Sequence, residues 1–412
     1  MKTIVITGLA LGLALTGCAT SADPGAVAPT SPATRSTTAA PSTQIDGTAL
    51  YFPAQDNGGD ALLDPVEFGQ AEFKPRPTDI YLVRKGQPAR RVIATAAREE
   101  CPRVSPDGSH IAHSQGSSIV VRPLDDEGTP GAPATGVRLP KDRASGCSEW
   151  SPDGTQVGYV LQTGPVTGAM DDLMRAEVRT LAIDGTKSVL VRIDTRTWAG
   201  TPAFAWSPDG TEVAYTRANE VWRVALRSGS EPRLVWRAPP GDPGDYPVSW
   251  DRPVALSWTV PNEIAITVHT ETGLPGGGAT DGLEIHAVAA GSGRERKLWK
   301  ITSSGQATDL AADGSRLVEV TGKRSLRVTT RSGGPAQRVA VRLPGVRPSF
   351  ITDVAWSPDG DGLLAMVWHR QRGYALVTLA VDGGAAEMLT PWTWALDWTD
   401  LSGISERVGG GS

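Results

Sequence analysis

The pentapeptide Trp-Ser-Pro-Asp-Gly occurs three times, at Trp150–Gly154, Trp206–Gly210 and Trp356–Gly360. Its last four residues are turn chemistry. Pro presets φ, Asp can accept from the backbone ahead of it, and Gly takes a positive φ at no steric cost. Weaker copies follow once these are aligned: RVSPDG from Arg103, SWTVPNEIAI from Ser257 and LAADG from Leu310. The aligned positions 107, 153, 209, 261, 313 and 359 lie 46, 56, 52, 52 and 46 residues apart. A period of roughly 50 residues is the mark of a radial repeat with about four strands per unit.

The flanking residues supply those strands. In the three full copies the strand before the turn ends in Trp, and the strand after it alternates, as in Val213-Ala214-Tyr215-Thr216. A third strand follows, as in EVWRVAL from Glu220, and a Gly-containing hairpin such as LAIDGTKSVLV leads into a fourth. The expected fold is an all-β propeller of four-stranded blades over residues 47–405, with a short flexible tail at 406–412. Residues 48–95 read as second, third and fourth strands lacking a first, and WALDWTDLSG near the C-terminus reads as a first strand lacking the rest. Joining them closes the ring and removes exposed edges. Six internal motifs and this composite blade make seven, with six as the alternative count. Trp150, Trp206 and Trp356 are expected to pack blade against blade, and Asp153, Asp209 and Asp359 to set the turns.

The W-S-P-D-G-x-x-[I/V]-A-[Y/F] pattern, seen at Trp206–Tyr215, resembles the repeats of TolB-type β-propellers. The resemblance spans residues 47 to about 405. It implies a module that binds proteins or peptides, or one that sits beside a hydrolase domain, for which the sequence after the last repeat leaves no room. TolB propellers have six blades, so a count of seven departs from the family.

The N-terminus is of another kind. MKTIVITGLALGLALTGC has one basic residue, an apolar run shorter than the ~20 residues of a membrane span, and then Leu15-Thr16-Gly17-Cys18. It reads as an export signal over residues 1–17 and is similar to the bacterial lipoprotein signal, which implies acylation of Cys18 by palmitate-type chains. An ordinary secretory signal with an incidental Cys is the alternative. Residues 18–46 are nearly all Ala, Ser, Thr and Pro, too poor in apolar surface to fold, so they form a tether. The expected location is extracytoplasmic, anchored to the bacterial membrane by lipid alone.

Cys101 and Cys147 each stand four residues before the Ser of their own motif, in consecutive blades. Export favours a disulfide between them, but adjacent first strands can sit beyond the ~7 Å Cα limit, so two free thiols stay open. Strand direction divides the loops. Ser-Pro-Asp-Gly turns fall on face two, while second-to-third connections and blade-to-blade links fall on face one, which receives the long segments 53–77, 161–177, 237–253 and 269–284. Trp198, Tyr246, Trp250, Asp171, Asp172 and His269 are the binding-face candidates on or near those segments, since aromatics dominate hot spots.

Chemistry is sparse. Neither a nucleophile elbow, an H-E-x-x-H, a P-loop nor a dinucleotide fingerprint is found, and the five His residues lack metal spacing. Asp56, Asn57, Asp60 and Asp64 could hold calcium or simply form a solvated loop, and Asp171-Asp172 could suit glycosidic chemistry. With 40 basic and 45 acidic residues interspersed, nucleic acid is not an expected partner. The sequence therefore points to a non-catalytic, monomeric scaffold for an envelope protein or peptide, with no metal or cofactor. The alternative is a lactonase- or glycosidase-like propeller with a metal or carboxylate site in its central channel.

Overall fold

A computed structural model describes residues 49–56, 78–84, 87–140, 144–162, 173–196, 201–227, 229–238, 252–274, 278–301, 308–311, 314–357, 362–390, 396–398 and 405–407. Among the described residues there is no helix, every sheet is antiparallel, and in all but one sheet the strands lie in sequence order. The protein is a β-propeller.

Six four-stranded blades are each made from one contiguous stretch. Blade 1 begins at Glu99, blade 2 at Ala144, blade 3 at Phe204, blade 4 at Arg252, blade 5 at Thr308 and blade 6 at Phe350. The remaining sheet is composite. Leu396–Trp398 pairs with Ala49–Asp56, which pairs in turn with Thr78–Val83 and then Arg90–Ile93. Trp398 lies opposite Ala54, so the two ends of the chain share one sheet. The count of seven rests on scoring this sheet as a blade; six is the number of blades complete without it. Ser405–Arg407 also pairs with Ala49–Tyr51, which carries ordered structure into the expected tail.

Apolar seams join neighbouring sheets. Ile80 and Leu82 of the composite sheet pack with Val104 and Ile111 of blade 1, and Tyr81 and Val83 on its other face pack with Leu364 and Met366 of blade 6. Between them, Ala112 meets Trp150, Val178 meets Trp206, Trp236 meets Trp258, Ile285 meets Leu317, and Val328 meets Trp356 within shared clusters. The seams are close. At Gly158, a Cβ would stand 2.7 Å from Phe204 Cε2 of the next blade, so only hydrogen fits there.

The repeated turn behaves as its chemistry requires. Asp153 Oδ1 accepts from Ser151 Oγ at 2.6 Å, Thr155 N at 3.1 Å and Thr155 Oγ1 at 2.9 Å. Asp209 repeats the pattern on Ser207 and Thr211, and Gly154 and Gly210 take φ of +67° and +68°. Asp359 lies outside the described residues. Each motif Trp also reaches the preceding blade: Trp150 Nε1 donates to Arg103 O, Trp206 Nε1 to Glu149 O and Trp356 Nε1 to Asp309 O, at 2.8, 3.4 and 3.2 Å. Trp258 in blade 4 bonds instead to Pro261 O of its own turn.

One loop is not a loop. The segment 269–284, expected as a long connection, continues the pairing of Glu263–Leu274 with Gly278–Ala289 from His269↔Leu283 out to Leu274↔Gly278. The flanking strands stop at Arg252 and Ile301, opposite His269 and Leu283, so the outer part is a two-stranded ribbon.

Candidate binding face

Alternating strand direction places the start of each first strand, the second-to-third turns and the ends of the fourth strands on one face. In blade 6 this puts Phe350, first residue of Phe350–Trp356, opposite Trp368 near the end of Gly362–His369. Their rings stack with centroids 4.7 Å apart and planes 25° from parallel. Phe350 is 38% exposed and is the exposed large aromatic among the described residues. Phe350 thus packs on Trp368 while part of its ring stays open to solvent.

Blade 5 closes against this pair. Ile351 N donates to Lys323 O at 2.8 Å, and Arg324 Nε donates to Pro348 O. The turn Gly322–Ser325 is thereby fixed beside Phe350. Ser349 N donates to Trp368 O at 2.7 Å, and Arg370 N to Ser349 Oγ at 3.2 Å, which ties in the blade 6 turn with Arg370 and Arg372. On the outer side of the blade 5 turn lies a depression of about 500 Å³ lined by Lys323, Arg324, Arg338 and Arg342 with Gly322, Ser325 and Ala340.

Solved structures share this architecture. An oligogalacturonate lyase in complex with manganese has a TM-score of 0.52 at 15% identity, over 73% of this chain and 82% of that one. TolB from Acinetobacter baumannii has 0.43 at 13%, over 87% and 66%, and the Myceliophteria thermophila Cps50 (Swd1) propeller domain 0.45 at 12%, over 74% and 90%. The likeness is one of fold. No family model and no curated protein matches the sequence.

Of the residues singled out from sequence, Trp198, Tyr246, Trp250, Asp171, Asp172 and Cys18 lie outside the described residues, as do Asn57, Asp60 and Asp64. His269 is part-buried in the second strand of blade 4, opposite Arg252 and Leu283. Cys101 and Cys147 form a disulfide with Cα atoms 5.2 Å apart. The ladder slips between Glu100 and Arg103 in one first strand and between Ser145 and Glu149 in the other, and these bulges accompany the approach that regular strands would not make. Phe350, Trp368 and the cationic residues beside them were missed, because GKRS and HRQRG look like ordinary exposed turns.

Two buried polar clusters lie elsewhere. Between the composite sheet and blade 1, His113 is fully buried. Arg122 Nε donates to its Nε2 at 3.2 Å, and its Nδ1 lies 3.1 Å from Ser114 O. A guanidinium only donates and a carbonyl only accepts, so His113 is the neutral Nδ1–H tautomer. Burial, aided by the Arg122 charge, pulls its pKa down to about 4, although the Ser114 bond opposes this. Glu99 nearby is also buried, which pushes its carboxyl above the usual range against the Thr95 hydrogen bond. In blade 4, Glu284 meets Lys297 Nζ at 2.6 Å and His286 Nε2 at 3.2 Å; burial resists its charge, but these partners hold its pKa low. Among the described residues, no group of three or more His, Cys, Asp or Glu could hold a metal ion.

Proposed function

We propose that this chain is an extracytoplasmic propeller, tethered to the membrane through Cys18, that binds an envelope protein or peptide through face one and performs no catalysis. The observation that carries the reading is exposed Phe350 stacked on half-buried Trp368 in blade 6. Stacked aromatics lose little rotamer entropy on binding and present a large contact area, which is why such rings act as anchors at interfaces. The rigid blades behind them make the platform preorganised, so a partner spends its binding energy on contact rather than on ordering a loop. The lipoprotein-type ending at Leu15–Cys18 and the Ala/Ser/Thr/Pro tether support the location.

The test compares partner capture from envelope extracts by the wild-type chain and by Phe350→Ala and Trp368→Ala. A partner retained by wild type and lost from both variants, with thermal melts unchanged, supports the reading. Equal capture by all three overturns it. Hydrolysis of a lactone or glycoside panel by the purified chain, or stoichiometric metal by elemental analysis, would overturn the non-catalytic part.

A further inference from the structure

From the depression on blade 5 we infer the chemistry of the partner: Lys323, Arg324, Arg338 and Arg342 form a receptor for an acidic peptide segment, docked beside the Phe350–Trp368 stack. The inference deepens the binding reading above and rests on it.

The charge placement contrasts with the carboxylate-paired arginines elsewhere in the sheets. The chain as a whole carries a net charge of −5, and several of its arginines are matched to carboxylates. Arg327 grips Glu319 with two bonds of 2.8 and 2.9 Å, Arg223 meets Glu212 at 2.8 Å, Arg91 meets Asp79 at 3.1 Å, and Arg331 pairs with Glu263. Among the described residues, the four cations of the depression have no such carboxylate. Arg338 Nη2 donates to the neutral Ser325 Oγ at 3.3 Å, and Arg324 Nε to the neutral carbonyl of Pro348. These contacts orient the guanidinium groups without neutralising them. Four like charges around one concavity repel one another, and an anion entering it relieves that repulsion while accepting charge-assisted hydrogen bonds.

The shape favours a peptide over a membrane surface. The charges line a concavity of about 500 Å³ rather than a projecting ridge, a volume suited to side chains, whereas a planar bilayer engages groups that protrude. The aromatic pair adjoins the same turn through the bonds of Ile351 N to Lys323 O and of Arg324 Nε to Pro348 O, so one extended segment can place an apolar residue on Phe350 and carboxylates in the depression.

The experiment uses a fluorescein-labelled peptide of six Glu and one Trp, its six-Gln counterpart, and vesicles containing phosphatidylglycerol. The full chain carries Cys18→Ala so that no acyl group contributes. The Glu peptide should bind, weaken as salt rises, and bind the Arg338→Gln/Arg342→Gln double variant roughly tenfold or more weakly at unchanged melting temperature. Arg338→Lys/Arg342→Lys should recover part of the loss. Equal binding of the Gln peptide, equal binding by the double variant, or vesicle binding that the double variant abolishes while the Glu peptide does not bind, overturns the inference. Partner capture keeps the two readings apart. If Phe350→Ala loses the partner while the arginine variant keeps it, the acidic-segment inference fails and the binding face stands; if both capture normally, the face itself fails.

Discussion

Trp150 of blade 2 donates its indole Nε1 to the backbone carbonyl of Arg103 in blade 1 at 2.8 Å, and Trp206 and Trp356 make the corresponding bond to Glu149 and Asp309. The three acceptors occupy the same place in their own repeats, immediately before the residue aligned with Trp. The conspicuous motif is thus a joint between blades as well as the start of a turn. Replacing Trp150 with Phe removes the donor and part of the ring from a buried seam. We expect a loss of about 1–3 kcal/mol by urea melts, with partner capture by the folded fraction unchanged. A cost near zero would mean that the indole bond carries no net stability.

Asp209 tests the turn. Hydrogen bonds from Ser207 and then Thr211 hold its pKa below the usual value. A carboxyl with a depressed folded pKa stabilises the protein above its unfolded pKa of about 3.9, and that contribution is lost as pH falls through the folded value. Asp209→Asn should cost roughly 0.5–2 kcal/mol at pH 7 through the lost hydrogen bonds, and the gap to wild type should narrow as pH falls through the acid range. Paired melts from pH 7 to pH 2.5 measure this; a gap that persists at the acid end would assign the cost to amide geometry rather than charge.

His113 gives the opposite part of the pH axis. Its folded pKa of about 4 lies below the ordinary 6.5, so below that ordinary value the unfolded chain takes up a proton that the folded one refuses. Its contribution is intact above pH 6.5 and is lost as pH falls toward 4, by up to about 3 kcal/mol. Glu99, with a raised carboxyl pKa, acts with the reverse sign, favouring the fold as pH falls. His113→Gln should therefore be less stable at pH 7 but show a flatter stability profile between pH 6.5 and 4.5 than wild type. Parallel slopes would refute the buried neutral imidazole.

Cys18→Ala checks the anchor proposal. The variant should fractionate as a folded, soluble propeller, whereas the wild-type chain stays with membranes through salt and carbonate washes, since several acyl chains at ~0.8 kcal/mol per buried methylene hold firmly. Full membrane retention of the variant would remove lipid attachment at this position from the account.

The sequence by itself determined the repeat, the strands and the closure. Ser151-Pro-Asp-Gly and its copies specify their turns through bonds that span at most five residues, and the alternation in Val213–Thr216 needs no knowledge of the other blades. Even the composite sheet was legible, because orphan strands at 48–95 and 396–398 each lacked what the other supplied. What only the tertiary structure decided lies where separate blades meet. The disulfide depends on bulges in two first strands, and no local pattern marks those. The segment 269–284 looks like a Gly-rich loop in one dimension and is a ribbon because two strands stay in register across it. The binding face is the clearest instance: Phe350 meets Trp368 through strand register, and Arg324 meets Pro348 across a blade seam. Turn chemistry is written in consecutive residues, whereas a surface patch is assembled from the ends of strands that packing brings together.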